Sequence, residues 1–414
     1  MKIGGARRDH EEERRTDRTH RDGNPSQRAR LRRIALIYVM CAVLAEWAVI
    51  VGFATQLAPP HVSDFGMYYA AAILLRHNPQ GAIYASSALL DASTKYGGCP
   101  QLIPPQYVYP PLLAIVLEPL TFIPCAQALV VWTAGNALLL MLTAVMLVQF
   151  LRWERKGDPL ATWAIVIVSV VAFWPMYPGL FLGQTHILVL FLMTSSVWLE
   201  ERRRPWLSGL ALVCAAMIKP LPALLLVYYL ARGRWKVVGG ALAGGIALLV
   251  IMMFGSSPAT VTASLAAALQ STSFQAHPGQ DEALSVVAGP AGVALVAAAI
   301  VSYLAVILVR KRGDITLGAA WTLCSMLVLS PVVWSFYLVW LLPAFAICLR
   351  PSYPPSTRRA AYYALLAALY LVLATPFLFL ARPFATLALW ALCGALYWRS
   401  GRPGPSALVE PALT

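Results

Sequence analysis

The chain has 414 residues, 59% of them hydrophobic and only 12% charged, with a formal net charge of +14. Soluble domains run nearer about 45–50% apolar and about 25% charged, so a polar surface cannot cover this composition. The positive charge does not suggest a nucleic-acid partner: it falls in short clusters between apolar runs, at Arg152/Arg155/Lys156, Arg202–Arg204, Arg232/Arg234/Lys236, Arg310–Arg312 and Arg350/Arg358/Arg359, which is the distribution of cytoplasmic loops in a polytopic membrane protein.

In chain order, residues 1–33 are rich in Arg, Asp and Glu and read as a disordered cytoplasmic tail ending in a basic anchor, Arg28–Arg33. A secretory signal peptide is not expected, because the charged stretch is too long and no A-x-A site follows the first apolar run. The membrane domain is placed at 34–399. A bilayer crossing needs about 20 apolar residues, and the first span, about 34–54, runs outward. Residues 55–124 stay outside. Within them "YPPLLAIVLEPLTFIP" is broken by Pro119 and Pro124 and reads as a juxtamembrane or re-entrant helix. Spans follow at about 126–150, 160–178 and 182–199, the last two joined outside by "WPMYPGLFLGQTH". Only "WLSGLALVCAAMIKPLPALLLVYYLA" separates the next two basic clusters. A break at Lys219-Pro220 divides it into two short spans, since proline removes a helical hydrogen bond, and it sets Lys219 at their outer turn. Spans then fall at about 236–254, 283–309 after an outer loop through about 282, 315–330, 337–349 after a turn at "SPVVWSFY", 360–380 and 384–398. Residues 400–414 form a short cytoplasmic tail. The result is an all-α polytopic protein with about twelve spans and both termini inside. All but four of its 32 Lys and Arg then face the cytoplasm, the exceptions being Arg76, Lys95, Lys219 and Arg382.

Of the seven cysteines, most lie in predicted spans, where Cys serves as a small apolar residue. No CxxC or His/Cys pairing suggests a metal. Cys99 and Cys125 both fall on the outer side, but the sequence does not fix the distance between them.

Polar residues from well-separated parts of the chain collect at the outer face, whereas the cytoplasmic loops are short and hold no comparable set. Nucleotide sugars and ATP are absent outside, so a membrane-borne substrate is expected. Asp64, in "VSDFGMYYAA", is either a helix cap, with Ser63 as an alternative capper, or a general base for an attacking hydroxyl. No DxD pair accompanies it to hold a metal. Lys219 either snorkels to water or supplies the counter-charge for an anionic lipid phosphate. Gln184 and His186, in "GQTH", are either hydrogen-bonded interface residues or contacts to a headgroup or sugar. Tyr68, Tyr69 and Trp334 fit an interfacial aromatic belt or sugar stacking. Tyr109, Gln280 and Tyr337 complete the candidate donor- or acceptor-binding set, and Asp281 and Glu282 lie at the same face without an assigned role. Glu46, inside the first span, is either a hydrogen-bond partner for a neighbouring helix or a directly catalytic carboxylate.

The ordered set "SDFGMYYAA", "AIYA", "YVYPPLLAIVLEPLTFIP", "GQTHILVLFL", "IKPLPALLLVYYLARGRWK" and "SPVVWSFYLVWLLPA" resembles glycosyltransferase family 87, over roughly residues 34–350. These are polyprenol-phosphate-mannose-dependent mannosyltransferases of the GT-C superfamily. The resemblance implies a GT-C-type fold whose long first extracytoplasmic loop carries juxtamembrane helices. It implies a hexose, mannose in the first instance, carried on a polyprenyl monophosphate, an acceptor hydroxyl on a glycolipid or glycan outside the cytoplasmic membrane, and inversion at the anomeric carbon. Asp64 matches the family's catalytic carboxylate, and Lys219 the lysine of its lysine-proline break. No cofactor or metal is expected. Two departures stand out. "SPVVWSFY" places Ser335, Phe336 and Tyr337 where the family motif leads to histidine, leaving His186 or His277 as substitutes. "HPGQDEALS" offers only Gln280 and Ser285 for the family's asparagine-glutamine-serine element. A lipid or glycolipid transporter and a lipid-linked oligosaccharide ligase remain the competing classes.

Overall fold

A computed structural model of the chain describes residues 64–78, 82–97, 99, 107–151, 159–271, 281–309, 313–350, 352–353 and 358–400. The predicted N-terminal tail, the first span with Glu46, and Ser63, His277 and Gln280 lie outside the described residues, as does the C-terminal tail beyond Ser400. Every regular element among the described residues is helical, and the one extended pairing is a single antiparallel bridge between Asp281 and Trp334.

The segment expected outside the membrane contains α1 (Asp64–His77), α2 (Ser86–Tyr96) and α3 (Pro111–Leu117), which runs into a 3-10 turn at Glu118–Phe122. Cys99 and Cys125 form a disulfide with their Cα atoms 5.3 Å apart, tying the chain just after α2 to the start of the helix that follows this segment. That helix is α4 (Cys125–Leu151). It is followed by α5 (Pro159–Val171), the short α6 (Met176–Phe181), α7 (His186–Glu201), α8 (Pro205–Ile218), α9 (Ala223–Ala231) and α10 (Trp235–Gly255). The chain continues through α11 (Pro258–Ser271), α12 (Leu284–Val287), α13 (Gly289–Val309) and α14 (Ile315–Val328). A 3-10 turn at Ser335–Leu341 leads into α15 (Leu342–Cys348), then α16 (Arg359–Ala374), and a 3-10 turn at Pro376–Ala381 leads into α17 (Arg382–Ser400).

Among the described residues, four helical stretches are long and apolar enough to cross a bilayer: α4, α10, α13 and Pro376–Ser400. They present large apolar side chains outward, including Met141, Ile246, Phe254, Val301 and Leu308. Such faces are stable against lipid and unfavourable in water. Several helix ends differ from the predicted apolar runs. The run predicted at 160–178 ends as a helix at Val171, and a separate turn of helix, α6, follows across Pro175. The stretch predicted as an outer loop contains α11, whose first turn is capped by the Ser257 hydroxyl accepting the Thr260 N–H at 3.1 Å.

The core is built around α14, in which every residue from Thr316 to Val328 is buried. Asp314 caps it, its Oδ1 accepting the Thr316 and Leu317 N–H groups at 2.8 and 3.0 Å. The α8–α10 pair is close because it is glycine-lined: a Cβ on Gly209 would lie 2.0 Å from the Val237 carbonyl oxygen, the small-residue packing that brings membrane helices together. At the end of the bundle predicted to be cytoplasmic, Glu201 pairs with Arg350 at 2.9 Å and Glu200 with Arg234.

Candidate functional site

The site starts from the "GQTH" turn. Gly183 takes φ +66°, and a Cβ there would lie 2.6 Å from the Phe65 Cβ, so the position requires glycine on both conformational and steric grounds. The turn docks on the first turn of α1: the Phe65 N–H donates to the Leu182 carbonyl at 3.1 Å, and Trp132 Nε1 donates to the Gly183 carbonyl at 2.8 Å. This docking aims Gln184 at Asp64, and the Gln184 Nε2 donates to the Asp64 Oδ2.

The other end of the same amide gathers donors. Gln184 Oε1 lies 3.0 Å from the Tyr68 hydroxyl, 3.3 Å from the Tyr109 hydroxyl and 3.5 Å from Lys219 Nζ. The two tyrosine hydroxyls are 3.0 Å apart. Lys219 arrives from the break between α8 and α9. As expected before proline, its backbone is extended, at φ −137° and ψ 136°, which ends α8 at Ile218. Its ammonium donates to the Tyr337 hydroxyl at 3.1 Å and lies 4.3 Å from the Tyr337 ring centroid and 5.3 Å from that of Phe336.

The side chain of Lys219 is buried, yet the hydrogen-bond partners it meets are neutral oxygens. An ammonium has three donors, and these contacts use two of them. Asp64 is only partly buried. Burial pushes its carboxyl above the ordinary carboxylate range, while the Gln184 hydrogen bond and the Lys219 charge pull in the other direction. Burial holds the Tyr109 phenol up at about 12, so it remains a hydrogen-bond donor. The arrangement therefore joins a proton acceptor at Asp64 to a cation at Lys219 through one amide, with phenol groups along the side.

Six of the predicted residues, Asp64, Tyr68, Tyr109, Gln184, Lys219 and Tyr337, thus enter one hydrogen-bonded network. Three others do not. The Tyr69 hydroxyl donates to the Ile123 carbonyl at 2.6 Å. His186 is fully buried, with Nε2 3.2 Å from the Met176 carbonyl oxygen and its ring against Gly179. Its contacts with Met176 and Gly179 pack the turn. Trp334 stacks on Phe336 with ring centroids 6.2 Å apart and pairs its backbone with Asp281. Phe336 was noted in the sequence only as part of a replaced motif, yet it supplies one of the ring faces around the ammonium. For Gly183 the sequence signal is a glycine opening the short "GQTH" turn. Among the described residues no group of three or more His, Cys, Asp or Glu could hold a metal ion.

Fold and cluster together define a helical membrane protein with a carboxylate and a lysine held on a common amide. The chain belongs to glycosyltransferase family 87, whose sequence model matches residues 107–331, and it is a hexosyltransferase. A polyprenol-phosphate-mannose-dependent alpha-(1-2)-phosphatidylinositol mannoside mannosyltransferase from Mycobacterium tuberculosis is 27% identical over 320 residues, covering 67% of this chain and 72% of that protein. A polyprenol-phosphate-mannose-dependent alpha-(1-2)-phosphatidylinositol pentamannoside mannosyltransferase from Mycolicibacterium smegmatis is 26% identical over 331 residues, covering 76% and 75% respectively. No solved structure matches the chain.

Proposed function

We propose that this protein transfers a mannosyl group from polyprenyl phosphate to a hydroxyl of a mannoside glycolipid, at the outer face of the cytoplasmic membrane and with inversion. The observation that supports the reading is the Asp64–Gln184–Lys219 connection, in which a carboxylate and an ammonium share one amide, as a general base and a phosphate counter-charge would. Asp64, as carboxylate, takes the proton of the acceptor hydroxyl. The hydroxyl oxygen attacks the anomeric carbon, and the carbon–oxygen bond to phosphate breaks with its electron pair leaving on the polyprenyl phosphate. A single displacement inverts the anomeric centre. Lys219 has a remaining donor for a phosphate oxygen and neutralises the charge that develops there. Tyr68, Tyr109 and Tyr337 line the sugar's position.

Two features support the outer placement, and the first of them also supports the arrangement of about twelve spans with both termini inside. The basic clusters lie at one end of the predicted spans. The Cys99–Cys125 disulfide belongs to the segment assigned to the outside, where oxidising conditions favour such bonds. The names of the relatives supply the donor and acceptor classes. Incubating the purified protein with polyprenyl-phosphate mannose and a membrane lipid extract should give a glycolipid heavier by one hexose in mass spectrometry. Movement of lipid with no new glycosidic bond would instead indicate a transporter, and transfer only from a diphosphate donor would indicate an oligosaccharide ligase.

A further inference from the structure

A second outer carboxylate, Asp281, has no part in the mechanism above. Asp281 is only 5% exposed. Its Oδ1 accepts two backbone N–H groups, from Ala283 and Val333, each at 2.8 Å. The Glu282 N–H donates to the Val333 carbonyl at 2.7 Å, so this stretch is stitched to the loop that leads into Trp334, Phe336 and Tyr337. Asp281 pairs with Trp334, two residues before Phe336, whose ring centroid lies 5.3 Å from the Lys219 ammonium. The Asp281 Oδ2 is buried and has no hydrogen-bond partner among the described residues.

The two oxygens thus divide their work. One fixes the loop, and two backbone donors suffice for that. The other is a strong acceptor held rigidly out of water, and a buried carboxylate oxygen is costly unless a donor reaches it. The neighbouring wall is aromatic, with Trp334 parallel to Phe336 and Phe336 facing the Lys219 ammonium. A carboxylate oxygen beside stacked aromatic faces is a combination that suits a sugar ring, whose hydroxyls donate and whose C–H faces pack on aromatics.

We propose that Asp281 is a sugar-binding residue of this site, its Oδ2 accepting a hydrogen bond from a ring hydroxyl held beside Tyr337. The inference rests on the glycosyltransfer reading above and adds a determinant of which sugar is accepted. The hydroxyl belongs either to the transferred sugar or to the acceptor sugar, and the test separates the two.

The informative variant is Asp281→Asn. It keeps an oxygen for the Ala283 and Val333 N–H groups and replaces Oδ2 with an amide nitrogen, so the loop retains its anchor. Initial rates are compared between wild type and variant using full-length protein in detergent, with a polyprenyl-phosphate mannose donor and its monodeoxy analogues in one arm, and a mannoside acceptor and its monodeoxy analogues in the other. The expected result is a loss of about 10-fold in kcat/KM for the unmodified substrates, from losing one hydrogen bond to a charged group. That loss should disappear for one deoxy analogue only, and the arm containing that analogue identifies the sugar. An equal loss on every analogue would reduce Asp281 to a loop staple, and no loss at all would remove it from the site; both overturn the proposal. If wild-type protein transfers no sugar from the donor, the glycosyltransfer reading fails first, and this inference falls with it.

Discussion

Gln184 donates its side-chain amide to the carboxylate of Asp64, a residue 120 positions away in the chain. The same side chain accepts from Tyr68, Tyr109 and Lys219. An amide fits this place because it donates to an anion at one end and accepts from phenols and an ammonium at the other. Gln184→Ala should therefore lower kcat/KM by about 10- to 100-fold, the worth of one or two charge-assisted hydrogen bonds, and Gln184→Glu should be worse because it sets a second carboxylate against Asp64. Steady-state kinetics on both variants check this, and an active Gln184→Glu enzyme would contradict it.

A general base must be deprotonated, so transfer should fall as pH drops through the folded-state pKa of Asp64. Burial raises that value, so the acid limb of kcat/KM should lie above the range of an ordinary aspartate. Lys219 and Gln184 both favour the carboxylate. Lys219→Met should move the limb to still higher pH as well as weakening use of the donor. A limb that stays in place, or moves to lower pH, would separate Lys219 from Asp64.

Gly183→Ala tests the docking of the turn on α1. The left-handed conformation costs alanine about 1–2 kcal/mol, and the new methyl group meets Phe65 as well. The variant should show a lower Tm together with reduced turnover, because the displaced turn carries Gln184 away from Asp64. Unchanged melting and activity would show that the turn is not held this way.

The Cys99–Cys125 bond closes a sequence separation of 26, and cross-links over loops of this size contribute about 3 kcal/mol. Reductant, or Cys99→Ser, should lower the Tm. In Cys99→Ser cells the freed Cys125 should react with a membrane-impermeant maleimide without permeabilisation, since the segment is assigned to the outside. Labelling only in opened cells would reverse the topology.

Much of this site was legible in the sequence because its costliest residues announce themselves. Lys219 before proline, inside an apolar run, marks both a helix break and a buried charge, and the break falls where expected. Asp64 stands out as a lone carboxylate beside aromatics. What could not be read was which neighbours face one another. Tyr68 and Tyr69 are adjacent on α1, about 100° apart on a helix, so one enters the network and the other reaches the Ile123 carbonyl. His186 looked equivalent to Gln184 in the same turn, but its ring is taken up by Gly179 and the Met176 carbonyl. Asp281 was visible as an outer carboxylate, while its tie to the Val333 backbone, 52 residues away, required the tertiary structure.

The most direct test of the account is the Asp64→Asn variant, assayed in parallel for binding of polyprenyl-phosphate mannose and for transfer to a mannoside acceptor. The substitution keeps the size of the side chain and removes its basicity. Donor affinity should stay close to wild type while transfer falls by at least about 100-fold, the contribution usual for a general base. Near-normal turnover would contradict it.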